Sequence, residues 1–501
     1  MRKRTRRSVP PARSERGDLP SMAEVKAPFS LQPQKKIPAV GINYFSRLPL
    51  AIPDSRGRAC SVRSDLVFFT TMKSRCFFRH LIFSPRLVAV PLLLASFLPH
   101  AQAADWPQWR GPQGNGVAPS GKYPTKFGEK ENVLWKYDLP GKGTSTPAIA
   151  GDRLFMTSPI EGKDGVVCLN LKGKELWRKT LGPEGKGQRE HRNGSTSNPS
   201  PVGDGTHVFA YYQSGRLASF THAGEKQWEI NLQEKYGKDT LWWPLGSSPV
   251  LTEKHVVVAV LHEGSSYLVA CDKKTGAIAW KSDRNYKTKA ETDQAYTTPQ
   301  LIDQDGRQIL VTWGADHLTA HDANTGKPVW SCGGFNPNDK AMWRVIASPA
   351  LSDGIAAVPY GRTKFLAGVK LGGKGDITAT HRLWERNGIG ADCPSPVADK
   401  GRLYLLTDRG VIHCLDLKTG KDIWKETLPR SSTSFYSSPV LAGDLLYCGR
   451  EDGTLFCGKI GPEGFKLLHS AAFEGGIIAT PIPLDDKLYL RTTKSLYCFG
   501  G

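Results

Sequence analysis

From residue 132 to the C-terminus the chain alternates short apolar runs with polar turns. The runs are about four to eight residues long and rich in Val, Leu, Ile, Tyr and Phe, the pattern of strands rather than helices. One arrangement recurs: Ser or Thr, then Pro, then an apolar run, as in STPAIAGDRLFMTS, SSPVLTEKHVVVAV and SSPVLAGDLLYCGR. The prolines are Pro147, Pro201, Pro249, Pro299, Pro349, Pro396, Pro439 and Pro481, spaced 54, 48, 50, 50, 47, 43 and 42 residues apart. Each period reads as a short strand, a turn, a β-rich strand, a polar turn, a third strand, a second turn, and a last strand carrying Trp. Four short strands per period of about 40 to 50 residues predict β-propeller blades. The expected fold is all-β: an eight-bladed β-propeller with four antiparallel strands per blade.

The second turn carries a fixed pattern. ACDKKTGAIAW (Ala270 to Trp280) and AHDANTGKPVW (Ala320 to Trp330) both fit A-x-D-x-x-T-G-x-x-x-W, and CLDLKTGKDIW departs only at Cys414. Duplication points to architecture rather than catalysis. Asp272, Asp322 and Asp416 are expected to accept backbone N–H bonds and hold the turn, with Thr275, Thr325 and Thr419 beside them. Gly276, Gly326 and Gly420 supply positive φ. Trp280, Trp330 and Trp424 are expected to pack between neighbouring blades; a Trp burying about 200 Å² gains roughly 5 kcal/mol. Trp177, Trp228 and Trp384 close other units, and the seventh has FKLLHS in place of a Trp strand. The eighth unit stops after SLYCFGG, without an outer strand. The strand NVLWKYDLP, Asn132 to Pro140, is expected to fill that place, so that the N-terminal strand closes the ring.

In these residues the sequence resembles the pyrroloquinoline-quinone-like, or quinoprotein-like, propeller repeat family, over about residues 104–501. The resemblance implies the propeller fold. It leaves activity open, because the family includes both quinone-dependent dehydrogenases and propellers without chemistry, an outer-membrane assembly lipoprotein among them. DWPQWRGPQGNG, Asp105 to Gly116, looks like a leader of secreted propellers of this type, and residues 104–131 are expected to form an extended arm laid across the ring.

Met1–Ala103 holds 18 Lys and Arg against 5 Asp and Glu, so +13 of the formal +20 lies there and +7 in the rest. The body is mildly basic, and no nucleic-acid partner is expected. MKSRCFFRH from Met72, the apolar run LVAVPLLLASFL and AQA at Ala101–Ala103 lay out a secretory signal over 72–103. Residues 1–71 are expected to be disordered, or to lie upstream of the true start. These features predict a periplasmic or secreted monomer with no membrane span after signal cleavage.

A quinone dehydrogenase of the resembling family would show adjacent cysteines and oxygen ligands for a clamping Ca²⁺. No two cysteines are adjacent, and no G-x-x-x-x-G-K-[ST], H-E-x-x-H, G-x-S-x-G or C-x-x-C-H occurs. No catalytic or metal-ligating residue is singled out, and no cofactor is expected; pyrroloquinoline quinone with calcium belongs to the alternative, an alcohol- or sugar-oxidising dehydrogenase. Most cysteines read as small buried residues. Cys448 and Cys457 are the exception: a two-residue turn at Asp452-Gly453 would set them opposite each other as a possible disulfide. Residues just before the Ser/Thr-Pro steps are expected at the channel mouth: His191, Arg192, Asn193, Trp242, Trp243, Tyr296, Arg344, Asp392 and Tyr436. Aromatics, cations and an acid converging there suit a polar ligand, a protein or a polysaccharide. The leading expectation is an exported, non-enzymatic binding or assembly scaffold.

Overall fold

The computed structural model describes residues 105–501. The signal over 72–103 and the upstream segment 1–71 lie outside the described residues. Eight antiparallel sheets follow one another in a ring. Blades 1 to 7 span 148–183, 202–231, 250–283, 300–332, 350–387, 397–427 and 440–472. Blade 8 takes Ile482–Leu484, Lys487–Arg491 and Ser495–Gly500 from the C-terminus and Val133–Asp138 from the N-terminal side. Trp135 lies opposite Cys498 and Lys136 opposite Tyr497, so the expected closure is present. One addition was not legible in the repeat: Gly375–Asp376, from the long blade 5 connection, pairs in parallel with the outer strand Pro328–Cys332 of blade 4.

The repeated motif is a docking device between blades. Asp272 Oδ1 accepts the backbone N–H groups of Lys274 and Thr275 and the Thr275 hydroxyl. Asp322 and Asp416 hold their turns in the same manner. The Trp of the preceding blade lies on each turn: the Trp228 indole N–H donates to the Lys273 carbonyl at 2.9 Å, and Trp177 to that of His222 at 3.0 Å. Trp135, Trp280, Trp384 and Trp424 bond the next turn likewise. Trp330 departs from this; its indole N–H donates to Gln304 of its own blade. Gly276 has φ of +71°, and a Cβ there would lie 2.6 Å from the Trp228 ring. The glycine is therefore needed twice, for the backbone and for the approach of the indole.

Across the strand pair, a small residue faces each docking ring. Cys168, Ser219, Ala270, Ala320, Gly368, Cys414 and Cys498 lie opposite Trp177, Trp228, Trp280, Trp330, Trp384, Trp424 and Trp135. In blade 7 Cys457 faces His469, whose Nε2 bonds the Phe127 carbonyl of the arm. The leading Ala of the motif is thus a steric requirement of its own Trp.

The inner ends are linked by a second device. The N–H of Thr146 donates to the Ser200 hydroxyl, and the series continues through Ser248, Thr298, Ser348, Ser395 and Ser438 at 2.9–3.1 Å. Thr480 N–H donates to the Thr146 hydroxyl at 2.9 Å. The hydroxyl before seven of the eight prolines is thus a blade-to-blade tie, while that of Thr480 accepts from Trp109 of the arm; the proline holds the extended backbone that follows.

The arm 105–131 crosses the ring. Trp106 exchanges backbone bonds with Ile149 of blade 1, while Ala118 and Gly116 bond Leu441 of blade 7. Between them Arg110, 2 % exposed, donates to the Ser395, Pro396 and Pro439 carbonyls.

The disulfide expectation is corrected. Arg450 and Thr454 bracket a three-residue turn, Glu451-Asp452-Gly453, with Gly453 at φ +88°. One extra residue moves the register by one: Phe456 lies opposite Cys448, and Tyr447 opposite Cys457. The thiols therefore face opposite sides of the sheet, Cys448 packing with blade 6 residues such as Cys414 and Cys457 with blade 8 residues such as Tyr489. Both are expected to react fully with an alkylating reagent in unreduced, denatured protein, as mass spectrometry would read. A further expectation separates indole docking from backbone strain. Gly276→Ala should lose about 2 to 4 kcal/mol in urea unfolding. Gly443→Ala, at φ +64° with nothing within 4 Å of its Cβ, should lose only about 1 to 2 kcal/mol.

Candidate functional site

A cavity of about 220 Å³ lies at the mouth of the central channel, and all eight blades contribute to its wall. The loops between one blade's outer strand and the next blade's inner strand carry His191, Asn193, Trp243, Tyr296, Arg344 and Tyr436 to it. Three other expected residues stand behind or above the wall. Arg192 reaches over the rim to Glu451 at 3.0 Å. Trp242 bonds Gln294 through its backbone N–H, with the Arg189 guanidinium 4.4 Å from its ring. Asp392 pairs with Arg344 at 2.7 Å.

Two buried carboxylates fix the mouth. Glu291, on the short 3-10 turn Ala290–Asp293, accepts the Trp243 indole N–H at 2.8 Å. It also pairs with Arg344 at 3.2 Å and with Arg362. Glu451, from the blade 7 hairpin turn, accepts from Arg192, the Asn193 amide and the Ser434 backbone N–H. A buried carboxylate needs such partners, since an unpaired one costs several kcal/mol. His191 is held edge-on to Trp243, ring centres 5.7 Å apart, and the same distance from Tyr436. Its Nδ1 accepts the Asn193 N–H at 3.1 Å, which leaves the proton of the neutral ring on Nε2. Burial, then the Arg192 and Arg344 charges, lower its pKa and keep it neutral.

Sequence reasoning missed several groups. Trp109 of the arm forms the floor, its indole N–H bonded to the Thr480 hydroxyl at 3.2 Å, and it also borders a second cavity on the arm side. Cys393 and the tie residues other than Ser348 border the cavity as well. The Ser/Thr-Pro steps were visible as landmarks, but nothing in one sequence says that their hydroxyls meet at an axis.

The residues do not fit a calcium-clamped quinone. Such an ion takes about six to eight oxygen ligands, carboxylates prominent among them. Around this cavity Glu291, Asp392 and Glu451 are each paired with arginine. Asp392, Cys393 and Asp408 offer donor atoms within 4.8 Å of one another, but Asp408 accepts the Asp392 and Cys393 backbone N–H groups at 2.9 and 3.1 Å.

Burial raises the Asp408 pKa to about 6, above its unfolded value. Its charged form therefore opposes folding: the penalty is full above about pH 6, shrinks as pH falls, and is gone below about pH 4. Asp408→Asn should melt higher than the parent at pH 8, and the difference should vanish by pH 4, as thermal unfolding followed by circular dichroism would show.

Comparison with known proteins gives one family and one fold. The family model described as outer membrane protein assembly factor BamB matches residues 128–331 and 373–458. The outer membrane protein assembly factor BamB of Burkholderia pseudomallei is 21 % identical over 338 residues, covering 64 % of this chain and 75 % of that protein. The structure of BamB from Moraxella catarrhalis superposes with a TM-score of 0.52 at 16 % identity, over 74 % of this chain and 97 % of the other. A europium-containing methanol dehydrogenase superposes at 0.62 with 12 % identity, over 79 % and 98 %. At these identities the structural likenesses show the propeller alone.

Proposed function

We propose, from the premise that the chain belongs to the family of outer membrane protein assembly factor BamB, that it is a non-enzymatic propeller scaffold. The reading places it in the periplasm, where its channel mouth takes hold of a protein partner during assembly of outer membrane proteins. One observation carries the binding role: among the described residues no carboxylate lines the cavity, and Glu291, Asp392 and Glu451 outside its wall are paired with arginine, Glu291 with Arg344 and Arg362, Asp392 with Arg344, and Glu451 with Arg192. The mouth therefore offers aromatic faces and hydrogen-bond donors, without a carboxylate free to act as general base or to hold a catalytic cation. Aromatic side chains with arginine are also the residues that dominate protein recognition.

The named relative supports the assembly role, and the neutral His191 supports a mouth built for recognition. Among the described residues no helix is long and apolar enough to cross a membrane. Deleting the protein from its cell should lower the amount of folded β-barrel protein in the outer membrane, read by heat-modified gel mobility. The wild-type chain should restore it, and Trp243→Ala with Arg344→Ala should not. Unchanged barrel levels would sink the proposal. So would dye-linked alcohol or sugar oxidation by the purified chain with pyrroloquinoline quinone and Ca²⁺, which would establish the dehydrogenase.

A further inference from the structure

The hydroxyl ties have a second face. Thr146, Ser200, Ser248, Thr298, Ser395 and Ser438 all border the cavity, and each is more than nine-tenths buried. Each oxygen accepts one N–H from the preceding blade, which uses the hydroxyl as an acceptor and leaves its hydrogen to donate. Among the described residues none of these hydrogens has an acceptor within bonding distance. Accepting a bond polarises a hydroxyl and strengthens it as a donor. The structure thus carries a collar of buried, strengthened donors facing one space. A buried donor without an acceptor is costly, so a group that supplies acceptors to several at once gains accordingly.

Two buried positive charges stand against the same collar. Arg110 donates to the carbonyls of Ser395, Pro396 and Pro439 from the arm side. Arg491, 1 % exposed, donates to the Ser145 carbonyl and hydroxyl and to the Thr157 carbonyl, one residue from Thr146. Among the described residues neither guanidinium has a carboxylate partner. Burial lowers both pKa values to about 9, so both stay charged at neutral pH. Backbone carbonyls satisfy their hydrogens but do not cancel their charge. The collar is therefore a place of positive potential lined with donors.

We propose that the collar is an anion site, and that its ligand is an organic carboxylate carried on an apolar, planar body. The carboxylate accepts from the collar hydroxyls. The body lies against Trp243, Tyr296 and Tyr436, with His191 Nε2–H and the Tyr436 hydroxyl as further donors at the rim. The proposal rests on the reading of the mouth as a binding site and names the chemistry bound there. A small aromatic acid and the C-terminus of a peptide ending in an aromatic residue present the same group.

The test is calorimetric titration of the purified full chain at pH 7.5. The probes are phenylacetate, phenylacetamide, and a short peptide ending in phenylalanine, as free acid and as amide. At least one acid should bind at least tenfold more tightly than its amide, and whichever acid binds more tightly identifies the source. Ser248→Ala should cut acid binding at least fivefold while leaving amide binding unchanged. The acid-to-amide comparison needs only the wild-type protein, so it decides the matter even where that variant fails to fold. Equal affinity for acid and amide, or no heat from either acid, would overturn the proposal. Because the titration contains no partner protein, it can fail while barrel assembly still depends on the chain, and the reverse.

Discussion

The architecture depends on one contact, an indole laid on a glycine. In five blades a turn offers a glycine without a Cβ, and the preceding blade presses a Trp onto it, as Trp228 does at Gly276. Both partners are over-determined. The turn is braced by an aspartate accepting three bonds, and the indole is backed by a small residue on its own sheet. Shape and hydrogen bonding thus fix the angle between sheets, whereas apolar burial alone would leave it free to slide. Where the device is altered, another contact takes its place. Blade 7 has His469 instead of Trp and bonds the arm, and the blade 4 Trp330 finds Gln304 while a two-residue strand covers its edge.

At the inner end the ring is drawn together by hydroxyl-to-amide ties, and this constraint shapes the site. Eight loops must converge on a small bore, so polar groups from distant parts of the sequence are forced close together. Acidic groups there become buried, and burial without compensation is costly. Arginine provides that compensation, leaving a mouth of rigid aromatics and neutral donors. Rigidity of this kind lowers the entropy lost on binding.

The blade count, the closing strand and the role of the D-x-x-T-G turn were legible in the sequence because a repeat shows one design eight times. Trp135 could be placed against the last strand from the missing edge alone. The pairing of Cys448 with Cys457 failed because hairpin register depends on whether a turn holds two residues or three, and EDG and DG read alike in a string of letters. Of the nine mouth residues, six line the cavity. Arg192, Trp242 and Asp392 miss it because each is claimed by a neighbour, Glu451, Arg189 or Arg344, that no periodicity reveals. Trp109 was hidden for a different reason. It reaches the floor through the path of the arm, and an irregular segment has no repeat against which its position can be read.

The strand Val133–Asp138 is made early and finds its partner last: Asp138 bonds Ser495 across 357 positions of chain. Until then the first-made edge stands with its amides uncovered while seven sheets assemble beside it. Chain-closure entropy rises only logarithmically with such a span, so the wait weighs little on equilibrium and heavily on rate. Truncation at the C-terminus would therefore open the wheel at its seam, and a half-made molecule would carry a sticky strand at each margin.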